Sequence, residues 1–113
     1  MQEAKLGTIR IAPSVLAMIV SLTARSVRGV ADMSQVSRPP SRVLQRPDSG
    51  HAPGVTLQVR NGEILADVYI VAAPNTNLRT LGQSVQQQVR EALDRMVSMP
   101  ASQVNVYIED VTE

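Results

Sequence analysis

At 113 residues, 43% of them hydrophobic but only 2% aromatic, the chain has room for one aliphatic core. A single domain over residues 1–113 is expected, because each half of a divided chain would fall near the size where independent folding becomes marginal. Basic and acidic side chains number 11 and 10, for a formal charge of +1, so no global field draws in nucleic acid or an anionic membrane, and the absence of cysteine excludes disulfide frameworks and thiolate metal sites.

Met1 to Gly7 lacks the apolar stretch of a secretion signal, and the longest apolar run, Val15 to Val20, is too short to cross a bilayer. The expected address is the cytoplasm. Thr8-Ile9-Arg10-Ile11 alternates polar and apolar side chains, which predicts a first strand with Ile9 and Ile11 buried. Pro13 suits a first helical turn, and Val15, Leu16, Ile19, Val20, Leu22, Thr23 and Val27 then recur at helical spacing before Gly29, predicting a helix over Pro13 to Arg28. Its opposite side gathers Ala17, Met18, Ser21, Ala24, Arg25 and Arg28, a face less polar than a purely solvated one.

From Val30 to Pro53 the periodicity collapses into Ser, Pro, Arg and Gly. This predicts a long connection with a short edge strand near Val30 to Val36 and a mobile Arg/Pro-rich loop at about residues 34–53, carrying Arg38, Arg42 and Arg46. Val55, Leu57 and Val59 then alternate with polar residues, Asn61-Gly62 follows, and Ile64, Ala66, Val68 and Ile70 alternate again. A hairpin is predicted, because a two-residue turn matching strand twist needs positive φ at both positions, which Asn and Gly tolerate best. Beyond Pro74, the run Asn75-Thr76-Asn77 offers capping side chains, and Leu78, Leu81, Val85, Val89, Leu93 and Met96 repeat every three or four residues, predicting a second helix over Leu78 to Val97 with a solvated Gln/Arg/Glu-rich outer face. Gly82 within it leaves two readings open, close contact with the sheet or an exposed weak point costing roughly 1 kcal/mol against Ala. Pro100 ends the helix, and Val104, Val106 and Ile108 alternate with Asn105, Tyr107 and Glu109 as a last strand.

The resulting order is strand, helix, loop, hairpin, helix, strand. The predicted class is α+β, a two-layer sandwich with two helices on one face of a mixed, mainly antiparallel sheet: the hairpin pairs antiparallel, and the stretch through the second helix has the length of a parallel crossover.

Gly7-Thr8-Ile9-Arg10-Ile11 before a helix, Val27-Arg28-Gly29-Val30 at its end, the hairpin opened by Gly54-Val55, the helix from Val85 to Met96 and the closing Val104-Asn105-Val106-Tyr107-Ile108 together resemble the alkaline shock protein (envelope stress response) family over nearly the whole chain outside the loop. Ser98 stands where that family usually has glycine, and the loop has no clear counterpart in it. The resemblance implies a bacterial, cytoplasmic envelope stress factor without catalytic residues. Some such proteins are held at the inner face of the membrane by a separate membrane-embedded partner.

The residues point the same way. His51 is the one histidine and lies among Pro, Gly and Ser, so the usual zinc spacings are absent. Glu63 and Asp67 fall on the strand face opposite Ile64, and the serines lack a recognisable base. No cofactor, metal or catalytic residue is expected. With helices on one sheet face, the other presents Arg10, Gln58, Arg60, Asp67, Tyr69, Asn105 and Tyr107, together with Thr8, Thr56 and Glu109. Tyr and Arg are anchoring residue types at protein interfaces, and open strand edges extend pairing into another copy, so this face is expected to be an interaction surface of a self-associating scaffold. A single-stranded nucleic-acid-binding module is the alternative, because RNA-recognition domains share the element order and stack bases on sheet aromatics. Arg38, Arg42 and Arg46 would then touch phosphates. The basic-aromatic signature of those domains is missing, which ranks this reading second.

Overall fold

The computed structural model describes residues 6–34 and 48–112. In chain order the elements are α1 (Pro13–Ser26), β1 (Val30–Met33), β2 (Ser49–Ala52), β3 (Val55–Arg60), β4 (Glu63–Ala72), α2 (Leu78–Val97) and β5 (Ala101–Val111). Strand β4 is the spine of the sheet. β5 pairs with it in parallel, and β3 and β1 pair with it antiparallel, β3 along Glu63 to Val68 and β1 along Ile70 to Ala72. β2 flanks β3 antiparallel. The result is the expected mixed, mainly antiparallel sheet under two helices.

Local chemistry explains most of these elements. Asn61 and Gly62 both take positive φ, 52° and 78°, in the two-residue turn that sets Arg60 opposite Glu63. α2 is capped as its sequence predicts, the Asn77 Oδ1 accepting from the Thr80 N–H at 3.0 Å. α1 has no side-chain cap and starts on Pro13, where a missing N–H costs nothing.

The core is aliphatic. Ile64, Ala66, Val68, Ile70 and Ala72 line the inner side of β4 and meet Leu16 and Val20 of α1 and Leu81, Val85, Val89 and Leu93 of α2. Burying a Leu, Ile or Val side chain of this kind contributes about 1.5–3 kcal/mol, which compensates for the near absence of aromatic residues.

Three expectations are corrected. Thr8 to Ile11 forms no strand: residues 6–12 lie outside any ladder, with Ile9 92% and Ile11 41% exposed. Alternation supplies a face but not a partner, and the places beside β4 are taken by β1, β3 and β5. Arg10 therefore does not sit on the sheet. The expected loop at 34–53 contains strand β2, which Pro53-Gly54 turns directly into β3, pairing Ala52 with Val55 around a positive φ of 71° at Gly54. Finally, α1 is rotated about its axis relative to its apolar periodicity. Leu16, Ala17, Val20, Ser21 and Ala24 are buried, whereas Val15 and Leu22, expected inside, are 49% and 60% exposed. Small residues on the inner side let the helix approach β2 closely: a side chain at Gly50 would run into the Pro13 carbonyl, and the Ser21 hydroxyl donates to the Pro53 carbonyl at 2.7 Å. Packing density, not hydrophobic count, selects the buried face.

A Cβ added at Gly82 would meet nothing within 4 Å, so the glycine is not required there by a close approach. Arg38, Arg42 and Arg46 lie outside the described residues.

Candidate functional site

Both helices pack on one side of the sheet, so among the described residues no helix covers the opposite face, and strand register determines what it displays. Tyr69 pairs with Tyr107, Asp67 with Asn105 and with Thr56, Leu65 with Gln58 and Gln103, and Glu63 with Arg60. Six of the seven residues expected on this surface, Gln58, Arg60, Asp67, Tyr69, Asn105 and Tyr107, thus share one face on three adjacent strands, and Arg10 is the exception. His51 joins the Asp67 row through its pairing with Thr56; it is exposed, as expected, but on a strand instead of in a loop.

At the centre the Tyr69 and Tyr107 rings stack, with centroids 4.8 Å apart and planes inclined by 16°. Tyr107 remains 44% exposed, so the stack presents an aromatic surface outward. Polar groups tie down its surroundings. Asn105 Nδ2 donates to Asp67 Oδ1 at 3.0 Å, and the Ser34 hydroxyl donates to Glu109 Oε1 at 2.8 Å. The Tyr69 phenol is pushed above the usual tyrosine range of 10.0, first by burial and then by the negative charges of Asp67, Tyr107 and Glu109.

Alternation foresees only part of the charge on this face. Register adds Asp32 and Asp110, both opposite Val71, to the outer side. Neither can be placed by alternation alone, because each follows an irregularity in its strand. Asp67 and Glu109 are the carboxylates whose charge reaches Tyr69, and Asp32 and Asp110 lie two positions further along the same face. Val15, Met18 and Leu22, spaced by three and four residues on the outside of α1, are a second feature that sequence periodicity does not isolate, all at least 44% exposed.

The groove between the helices is lined by polar groups such as Thr23, Ser26, Gln87 and Glu91. Among the described residues no three His, Cys, Asp or Glu side chains gather as metal ligands. Among them, too, no helix is long and apolar enough to cross a membrane.

Comparison with known proteins supplies independent information. The sequence profile of the alkaline shock protein family, described as having a "cell envelope-related function", matches residues 1–113. The uncharacterized protein YqhY of Bacillus subtilis (strain 168) is 30% identical over 108 residues, 95% of this chain and 78% of that protein. The uncharacterized protein Spy1535 of Streptococcus pyogenes serotype M6 is 28% identical over 107 residues, covering 94% of this chain and 80% of its own. Among solved structures, the copper form of the MamM CTD superimposes with a TM-score of 0.59 at 16% identity, over 87% of this chain and 84% of that one. At that identity the likeness concerns the fold.

Proposed function

Because the chain belongs to the alkaline shock protein family, whose function is cell envelope-related, we propose that it works without catalysis, as a self-associating scaffold whose interaction surface is the open face of the sheet. The observation that carries this reading is the stacked Tyr69–Tyr107 pair on the sheet face that neither helix covers. Two rings already stacked on neighbouring paired strands have less conformational entropy left to lose when a partner covers them. Gln58, Arg60 and Asn105 around it are suited to the polar rim of such an interface. In this reading the protein acts from the cytoplasm, and its attachment to the envelope runs through protein partners, including a membrane-embedded anchor.

Sedimentation velocity over a micromolar concentration series tests the reading. The wild-type chain is expected to self-associate, and Tyr69→Ala to weaken association by about tenfold or more, the usual loss when an interface anchor is removed. A strictly monomeric wild type throughout the series would refute the homotypic form of the proposal.

A further inference from the structure

The outer surface of α1 differs in kind from that of α2. On α2 Leu78 and Met96, near its two ends, are exposed at 41% and 58%, but the outward positions between them are polar, with Gln83, Gln87, Arg90 and Asp94 all exposed. On α1 they are Val15, Met18 and Leu22, at 49%, 44% and 60% exposure, spaced three and four residues apart so that they form one apolar stripe along the helix. Arg25 and Arg28, both exposed, follow at its C-terminal end, and the chain from Gly7 to Val30 contains no carboxylate. The surface is apolar and positive.

The sheet face on the other side of the molecule has the complementary character. Leu65, Tyr69, Val71 and Tyr107 share its outer side, and Asp67 and Asp110 register beside them. Arg60, a basic residue on this face, is paired across the strands with Glu63. Two copies joined sheet to sheet would bring carboxylates against carboxylates, and two joined stripe to stripe would give Arg25 and Arg28 no carboxylate to meet, since Gly7 to Val30 contains none. Joining the α1 stripe of one copy to the sheet face of the next buries apolar surface on both sides and sets arginines against carboxylates. Arg25 forms an exposed pair with Asp32 in its own chain, 3.4 Å long, which contributes little and is readily exchanged.

Resting on the reading that the sheet face is a self-association surface, we propose that its occupant is the α1 stripe of a second copy of this chain. The contact is heterologous. Each copy offers one donor and one acceptor surface on opposite sides, so association continues head to tail until a ring closes or the chain of copies ends.

Two variants at exposed positions separate the possibilities, each first checked by its thermal midpoint to be folded: Leu22→Glu, which blocks the stripe, and Tyr107→Ala, which blocks the face. Each alone is expected to lose association by at least about tenfold in sedimentation. Their equimolar mixture is expected to recover a dimer and nothing larger, because the intact face of the first variant meets the intact stripe of the second. If Leu22→Glu associates like wild type while Tyr107→Ala does not, the stripe is not the occupant, and the inference falls while the proposed function stands. The inference also falls if both variants are weakened and the mixture stays monomeric. A monomeric wild type removes the proposed function and this inference together, and association unaffected by either variant removes both surfaces.

Discussion

Tyr69 lies where three strands meet. Its N–H donates to the Gly54 carbonyl at 2.8 Å, and its own carbonyl accepts from the Ser34 N–H at 2.9 Å, which places its backbone at the junction between β3 and β1. A side chain at Gly54 would collide with the Tyr69 carbonyl and with Met33, so glycine there lets the junction close. The ring is then fixed by the stack with Tyr107, and its surroundings determine its titration. Burial, followed by the charges of Asp67, Tyr107 and Glu109, favours the neutral phenol in the folded chain. A folded-state pKa raised above its unfolded value contributes stability that is fully present below pH 10.0 and is lost as pH rises through the folded pKa. Absorbance at 295 nm in a Tyr107→Phe background, which leaves Tyr69 as the one tyrosine, is expected to show ionisation above 10.0. Adding Asp67→Asn should move it downward, and a midpoint at or below the ordinary value would contradict the local geometry. At this scale the sequence is informative where the period is two: alternation alone assembles Gln58, Arg60, Asp67, Tyr69, Asn105 and Tyr107. It cannot supply register, so the contact between the two tyrosines and the positions of Asp32 and Asp110 emerge only in three dimensions. Arg10 is misplaced by alternation alone, because four alternating residues form a strand only where a ladder is open to them.

Elements with both a period and punctuation are legible almost to the residue. α2 begins and ends where its apolar repeat, Asn77 and Pro100 place it, and the Asn61-Gly62 hairpin keeps the register its turn requires. β2 is hidden because Ser49, Gly50 and His51 carry no strand signature. Its signal is the Pro53-Gly54 dipeptide, which directs the chain back onto β3. The rotation of α1 is hidden for a different reason: its apolar residues occur all around the axis, and only the close approach permitted by Ala17, Ser21, Ala24 and Gly50 determines which side goes in. The departure at Ser98 has a definite structural meaning. It caps α2 in the left-handed region, φ 56° and ψ 33°, where glycine bears no steric penalty from a side chain. Ser98→Gly is therefore expected to raise stability by up to about 1 kcal/mol, visible as a higher thermal midpoint without a change in association. A lower midpoint would mean that the serine side chain contributes more than its backbone conformation costs.

At the scale of the molecule, the layered class, the covered and uncovered sides of the sheet and the resemblance to the alkaline shock proteins are all legible in the sequence, and the whole-chain family match agrees with that resemblance. The distribution of charge between the layers is not, because it depends on which side of α1 faces outward and on the register of the strand ends. In the proposed assembly, two surfaces on opposite sides, an apolar-basic helix stripe and an aromatic-acidic sheet face, bring copies of this chain together. Amide chemical shifts of the 15N-labelled protein, followed from high to low micromolar concentration, test this most directly. Concentration-dependent shifts or broadening are expected around Leu65, Tyr69 and Tyr107 and around Val15, Met18 and Leu22, with Gln83 and Arg90 on α2 unchanged. Spectra that do not change with concentration, or changes confined to α2, would contradict it.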